Sequence, residues 1–393
     1  MIARIHVKNF RSLRDVELKL RRRNVLVGAN MAGKSNLISV FRFLNQIVRG
    51  SPGGHGLLSA VTSQGSFADI AWRGGESNLI SISLDGIDAL GSMGTIAWTY
   101  KLDIMGDRVR GNVTVQDEFL RVIPSGGDAF NLIRKEPGTG NRVLLTPAQD
   151  VITGVHDASR SALEFELPDW EGNRLRNMFA TVHFYKLLPL LMKQTNQVTA
   201  PTALDETGAN LSAWLMMLQT RYPEDFRRIN SALSDTLPDV SGLFTWPTQQ
   251  ATVFAASSER FLKTAVPVWQ MSDGELCFVA LLSLILSPKE YGAPLFCVEE
   301  PENHLNPKLM QSLIGIVDQR QKELGEQAAQ VIVTTHSPHL VDKVAVEDVV
   351  IVDKHEGATR CTRVEDRPRL PDLVRREELG LGELIYTGLL RGE

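Results

Sequence analysis

The sequence predicts an α/β fold with a mixed central sheet, an antiparallel β lobe and a helical lobe. The short apolar run Val25–Val27 is followed by a glycine-rich turn and a helical pattern over residues 36–44, which together form a strand–turn–helix unit. Apolar and polar residues alternate from about residue 66 to 150, as they do in antiparallel strands. Helical periodicity covers residues 173–237, and buried-strand candidates return after about residue 250.

The glycine-rich turn has the G-x-x-x-x-G-K-S pattern of a phosphate-binding loop, from Gly28 to Ser35. Backbone amides at a helix N-terminus cradle phosphates, a lysine in this position bridges the β- and γ-phosphates, and the serine hydroxyl binds Mg²⁺. A chance glycine turn is the alternative, and the strand and helix on either side argue against it. We predict an ATP and Mg²⁺ site formed by Gly28, Asn30, Gly33, Lys34, Ser35 and Asn36.

A second buried-strand candidate, Leu295–Val298, runs into two adjacent carboxylates, Glu299 and Glu300. Because successive strand residues face opposite ways, the two acids can take different roles. Phosphoryl transfer requires mainly positioning and charge stabilisation from the protein. We therefore expect Glu299 to hold Mg²⁺, directly or through water, and Glu300 to activate the attacking water. Taken alone, Glu-Glu-Pro would fit a solvated helix start equally well; the phosphate loop favours the catalytic interpretation.

A histidine and a serine-containing turn complete the set of motifs. The β-branched run Val331–Thr335 leads into His336, which could hydrogen-bond the γ-phosphate, although a lone histidine at a strand end is more often structural. The segment 272–275 reads as the N-terminal cap of an apolar helix, and an exposed helix N-terminus can also bind an anion. We expect that anion to be the γ-phosphate held by a second copy of the chain. The predicted catalytic residues are Lys34, Glu300 and His336, and the residues predicted to act in trans are Ser272, Gly274 and Glu275.

Together these motifs resemble those of the RecF/SMC/OLD branch of the ABC-type ATPases, a group often labelled AAA family ATPases. The resemblance extends over nearly the whole chain, through Ile5–Leu13, Asn24–Gly28, Lys34–Leu37, His183–Pro189, Gly208–Leu211, Met271–Glu275, Val298–Asn303 and Thr335–Pro338. It implies a P-loop NTPase fold of ABC/RecF type and ATP hydrolysis in a head-to-head homodimer or higher even oligomer. It also implies that Arg11 contacts the nucleotide, while a solvated strand residue is an equal alternative.

The chain departs from the family pattern at several positions. Asp273 stands where transporter ATPases usually have glycine, and Glu275 where they have glutamine, which favours the RecF/OLD side. Asn306 replaces a histidine that is frequent before the following proline, at a loop expected to contact the partner copy. The glutamine loop has two candidates, Gln194 and Gln197.

We expect five segments along the chain. They are residues 1–65, the N-terminal part of the ATPase head with the phosphate loop; 66–172, the antiparallel β lobe; 173–248, the helical lobe; 249–353, the C-terminal part of the head with the other motifs; and 354–393, a charged tail with a helix from Leu379 to Leu390. No sustained heptads separate Ser35 from Ser272, so we expect no coiled-coil arms. Because few residues follow Asp353, we also expect no TOPRIM nuclease domain of the kind that OLD-type proteins carry.

These expectations suggest a chain that acts with a partner. We favour the regulatory ATPase subunit of a bacterial defence or toxin module, gating a separate effector such as a nuclease or toxin. A RecF-like DNA-repair or DNA-sensing ATPase is an alternative, and so is a nucleotide-binding scaffold with little turnover. The first 23 residues contain eight Lys or Arg and two acids and end in Arg21–Arg23. Such a run is usually a solvated face, but it makes double-stranded DNA a further candidate partner.

Composition agrees with a cytoplasmic protein of two or three domains. Its 393 residues are 43% hydrophobic, and the net charge of −4 gives no global signal for nucleic-acid binding. Cys277, Cys297 and Cys361 lie far apart, which predicts neither disulfides nor a zinc site and fits a reducing compartment. No run of 18 apolar residues and no signal-peptide pattern is present, so we expect no membrane association.

Overall fold

A computed structural model describes residues 1–50, 55–90, 94–137, 139–288, 293–366 and 380–386. The strands are β1 (Ile2–Phe10), β2 (Leu13–Lys19), β3 (Arg23–Val27), β4 (Leu79–Leu90), β5 (Gly94–Gly106), β6 (Val113–Pro124), β7 (Phe130–Lys135), β8 (Arg142–Leu145), β9 (Val151–Val155), β10 (His183–Tyr185), β11 (Asn196–Gln197), β12 (Val240–Pro247), β13 (Thr252–Glu259), β14 (Val266–Pro267), β15 (Leu295–Glu299), β16 (Gln330–Thr335), β17 (Val349–His355) and β18 (Ala358–Arg363).

The helices are α1 (Lys34–Arg49), α2 (Gly56–Thr62), α3 (Phe67–Ile70), α4 (Asn173–Ala180), α5 (Pro189–Met192), α6 (Leu211–Arg221), α7 (Pro223–Thr236), α8 (Asp273–Ile285), α9 (Pro307–Leu324), α10 (Pro338–Val341) and α11 (Leu381–Tyr386). The chain divides into two compact units. Unit 1 comprises Met1–Val182, Gln330–Ile332 and Val346–Leu373, and unit 2 comprises His183–Ala329, Val333–Ala345 and Val374–Glu393.

Unit 1 contains an eight-stranded antiparallel sheet in the order β2-β1-β4-β5-β6-β7-β8-β9. The strands predicted between residues 66 and 150 correspond to β4, β5, β6 and β8. The first two strands of the chain belong to the same sheet, because β1 pairs with β4. Ile5 lies opposite Leu84 and Val7 opposite Ile82, and all four side chains are buried on one face.

The phosphate loop of unit 1 follows β3. This strand lies between the first residues of β16 and the strand β17, which runs parallel to it. The strand β18 pairs with the other edge of β17. Four of the five β3 residues are buried, as expected for a strand covered on both faces. The hairpin from β17 to β18 turns at Glu356 and Gly357, both with positive φ. The expected charged tail therefore contains the strand β18. Of the helix predicted from Leu379 to Leu390, the structure describes α11, while residues 379 and 387–390 lie outside the described residues.

Unit 2 places β15 between β10 and β16. Helix α8 is almost uniformly apolar and its residues Leu276 to Ser283 are buried, so it forms the centre of this unit. Trp214 on α6 donates a hydrogen bond of 3.0 Å to Ser283 Oγ on α8. The predicted helical lobe includes α6 and α7, which pack on the sheet β11-β13-β12. The neighbouring strands β15 and β16 end at Glu299 and Thr335, and the residues at these two strand ends lie close together.

Candidate functional site

The phosphate loop connects β3 to the uncapped N-terminus of α1. Gly33 has φ +108°, and a Cβ there would lie 2.0 Å from Thr359 Oγ1, so glycine is required by both conformation and packing. No side chain caps α1 and no acidic residue lies in its first turn. Within the described residues, the backbone amides of Asn30 and Gly33 form no hydrogen bond. Amides in this arrangement and an uncapped helix start suit an anion such as a phosphate group.

Lys34 adds a nearly buried cation to this loop. The residue is 5% exposed, and its Nζ donates hydrogen bonds of 2.7 Å to Gly28 O and 3.1 Å to Ala29 O. These carbonyls hold the ammonium group beside the loop backbone, where a polyphosphate would meet it. Ser35 is exposed on the first turn of α1. The loop residues thus fit the predicted ATP, and the Ser35 hydroxyl fits the predicted Mg²⁺ ligand in position and chemistry.

Two other predicted nucleotide contacts are engaged with the protein. Asn36 Nδ2 donates to Ser12 Oγ at 2.6 Å, which ties α1 to the turn between β1 and β2. Arg11, in a left-handed conformation with φ 50°, donates to Ser39 Oγ at 3.2 Å and to Gln64 Oε1 at 3.0 Å. Burial, with a smaller effect of a neighbouring arginine, lowers the Arg11 pKa. The nucleotide-binding roles of both residues remain predictions.

The serine turn of unit 2 caps α8. Ser272 Oγ accepts a hydrogen bond of 3.2 Å from the Glu275 amide, and Asp273 forms an ion pair of 2.6 Å with Lys193. A Cβ on Gly274 would lie 2.7 Å from the carbonyl oxygen of His304, so a larger residue would push the two segments apart. Ser272, Gly274 and Glu275 line an open cavity of about 510 Å³. Burial raises the pKa of Glu275.

The acidic strand end and the histidine meet in unit 2. Glu299 ends β15, and Glu300 follows in a left-handed conformation with φ 48°. The Glu300 amide donates to Thr334 O at 2.9 Å, and one carboxylate oxygen lies 3.4 Å from His336 Nδ1. Both carboxylates border a small cavity of about 70 Å³. The structure therefore brings together the predicted water-activating acid and the predicted γ-phosphate sensor.

Two family models match separate parts of this chain. One, described as "AAA ATPase domain", matches residues 1–82, which include the phosphate loop. The other, described as "AAA domain, putative AbiEii toxin, Type IV TA system", matches residues 223–342, which include the other three motifs. No curated protein matches in the sequence comparison.

Solved structures of SMC heads align with most of this chain. An SMC head bound to the C-winged helix domain of ScpA aligns over 93% of this chain and 99% of its own, with a TM-score of 0.56 and 12% identity. The SMC head domain from Thermotoga maritima aligns over 92% of this chain and 98% of its own, with a TM-score of 0.48 and 13% identity. An Smc head with an extended coiled coil, bound to the C-terminal domain of ScpA derived from Pyrococcus furiosus, aligns over 96% of this chain and 100% of its own. Its TM-score is 0.49 and its sequence identity is 12%. The chain is an SMC-like, ABC-type ATPase in fold. This confirms the predicted fold class.

The SMC-like head contains one site residue that sequence reasoning left without a role. Glu302 accepts hydrogen bonds from Thr335 Oγ1 at 2.6 Å and from the His336 amide at 2.8 Å. The signal was its place two residues after Glu300, in the Glu-Pro-Glu sequence. Its partners lie 33 and 34 positions away along the chain, so only the fold reveals them.

Two arginines of the N-terminal basic run form ion pairs with acids. Arg23 forms an ion pair of 2.6 Å with Asp348, and both side chains are largely buried. Arg21 pairs with Glu365 at 2.7 Å. These pairs offset the positive charge that phosphate contacts would need, so they give no support to DNA binding at Arg21 and Arg23. Among the described helices, none is both long and apolar enough to cross a bilayer.

Proposed function

We propose that this chain binds and hydrolyses ATP at a head-to-head interface between two copies, and that this dimerisation gates a separate effector. The observation that carries the proposal is the contrast between two helix N-termini. Helix α1 has no cap and no acid in its first turn, and Lys34 lies beside it, so it suits a nucleotide's phosphates. Helix α8 is capped by Ser272 and borders an open cavity, so it is accessible to a group supplied by another molecule.

The residue roles follow from this arrangement. Lys34 would contact the β- and γ-phosphates, while Ser35 and Glu299 would hold Mg²⁺, which supplies charge neutralisation when bound. Glu300 would accept a proton from the attacking water. His336, whose Nδ1 lies 3.4 Å from the Glu300 carboxylate, would lie where the γ-phosphate and that water meet.

A role in defence or toxin control is supported by one of the family models. Its description names an AbiEii toxin and a Type IV toxin–antitoxin system, and it matches residues 223–342. In this proposal the head closes on a second copy when ATP binds, and an effector turns that closure into an outcome. We therefore propose a separate nuclease or toxin as that effector. Co-expression of a nuclease or toxin encoded beside this chain, with wild-type chain or Lys34→Ala, tests the link: growth must depend on the intact phosphate loop.

The dimer is tested by Ser272→Arg. A long cation at the exposed start of α8 would occupy the space expected for the partner's γ-phosphate. We expect ATP binding to each chain to persist, while ATP-driven dimerisation and turnover are lost. Light scattering with and without a slowly hydrolysed ATP analogue measures the first, and phosphate release the second. A variant that still dimerises and hydrolyses ATP at the wild-type rate would contradict the shared site. Ser241→Arg, at an exposed position on β12, is the matched control.

A further inference from the structure

A single carboxylate joins the loop after β15 to the turn after β16. Glu302 Oε1 accepts hydrogen bonds from Thr335 Oγ1 at 2.6 Å and from the His336 amide at 2.8 Å. The Thr335 hydroxyl oxygen in turn accepts a bond of 2.9 Å from the Ser337 amide. The backbone on both sides of His336 is therefore tied, directly or through Thr335, to the carboxylate of Glu302.

The imidazole of His336 depends on this backbone for its position. In the described part of the chain, its Nδ1 forms no hydrogen bond. It lies 3.4 Å from a Glu300 oxygen, which is at the limit of hydrogen-bond length, and 3.8 Å from a Glu302 oxygen, which is beyond it. The ring is thus located by the turn that carries it.

Glu302 is well placed for this role because it is fixed itself. Its side chain is only 10% exposed. It belongs to a short 3-10 turn, Pro301–Asn303, which begins directly after Glu300. Asn303, in the same turn, donates a hydrogen bond of 3.1 Å to the Glu300 carboxylate. One turn therefore contacts Glu300 through Asn303 and the His336 backbone through Glu302.

We propose that Glu302 is a positioning residue that fixes the distance between Glu300 and His336. The proposal rests on the proposed function, in which those two residues meet the attacking water and the γ-phosphate. Glu302 acts through hydrogen bonds that it accepts, and its negative charge is not required for them. A glutamine, whose amide oxygen accepts from the same two donors, should replace it.

Steady-state ATP hydrolysis tests the proposal with three variants. Glu302→Ala should lower kcat by roughly 10²-fold, the scale of misplacing a catalytic group by about 1 Å, with unchanged affinity for a slowly hydrolysed ATP analogue. Glu302→Gln should retain most of the wild-type kcat. Thr335→Val removes one of the two donors, and its effect should be less than additive with that of Glu302→Ala. Equal losses in the Gln and Ala variants would overturn the positioning role, because the charge itself would then be needed.

A measurement without turnover separates this proposal from the proposed function. The chain has eight histidines, and the imidazole signal of His336 in an NMR spectrum can be assigned by its loss in His336→Gln. We expect that signal to shift or broaden in Glu302→Ala and to stay in place in Glu302→Gln. A wild-type chain without ATPase activity would refute the proposed function and leave this test intact. An unmoved signal in Glu302→Ala would overturn the positioning role.

Discussion

Replacing Glu300 by glutamine should separate ATP binding from hydrolysis. The substitution is nearly isosteric, and the structure shows what it preserves. The Glu300 amide still donates to Thr334 O, and a side-chain oxygen can still accept from Asn303 Nδ2, which lies 3.1 Å away. The left-handed backbone conformation at this position costs glutamine no more free energy than it costs glutamate. The main change is the loss of one negative charge beside His336.

The expected magnitude follows from that one loss. A positioned general base contributes about 10²–10⁴-fold to a rate. This corresponds to about 2.7–5.4 kcal/mol in the barrier, at about 1.36 kcal/mol for each factor of ten. The folded state keeps its hydrogen bonds at this position, so we expect the free energy of unfolding to change little. Glu300→Gln should therefore bind ATP, form the dimer and remain dimeric.

The assay compares Glu300→Gln with two neighbours. Phosphate release gives turnover, and light scattering after dilution gives the lifetime of the dimer. Glu299→Gln should instead weaken Mg²⁺-dependent ATP binding, and His336→Ala should slow turnover with less effect on affinity. Normal hydrolysis by Glu300→Gln, together with a long-lived dimer of Glu299→Gln, would show that the two carboxylates have the opposite roles.

Two further predictions concern the phosphate loop and the β lobe. Lys34→Ala should abolish binding of a slowly hydrolysed ATP analogue in isothermal titration and leave the circular dichroism spectrum unchanged. The control is Lys19→Ala, which changes an exposed lysine. An unchanged affinity of Lys34→Ala for the analogue would refute the assigned site. Glu118→Ala should lower the free energy of unfolding by about 3–5 kcal/mol in chemical denaturation, because it leaves the buried Arg142 guanidinium, 3.1 Å away, without its carboxylate. Glu17→Ala, which breaks an exposed pair, should change it little, and equal effects would contradict this account.

The parts of the fold that the sequence predicts are those with local signals. The strand–loop–helix unit around Lys34 depends on neighbours in sequence, as does the apolar helix that follows Ser272. The pairing of β1 with β4 does not, because two alternating strands far apart in sequence carry no information about which sheet they share. The strand β18 could not be predicted from the sequence for another reason. Its polar, basic sequence reads as a tail, and the turn at Gly357 gives the one local hint of a hairpin.

The residues of the candidate site likewise include some that the sequence identifies and some that only the fold reveals. Glu300 and His336 can be identified from the motifs around them, and the structure adds their 3.4 Å approach. The contacts of Glu302 could not be predicted, because side-chain hydrogen bonds between the ends of two strands depend on their register. The ion pairs of Arg21 and Arg23 are a similar case. In sequence they belong to a basic run, and only the fold places acids from the other end of the chain beside them.

The two helix N-termini also suggest an order of events. Helix α1 can take an anion in an isolated chain, because neither a cap nor an acid competes with it. Helix α8 has its serine cap and two acids in the first turn, so one of its amides already has an acceptor and acidic side chains lie beside the others. An anion should therefore bind weakly at α8 by itself and reach it only when a second copy already holds ATP. We infer that nucleotide binding precedes dimerisation, so the affinity of Ser272→Arg for ATP should equal that of the wild-type monomer at a concentration too low for dimers. A tenfold weaker affinity at that dilution would show instead that α8 contributes to the first binding step.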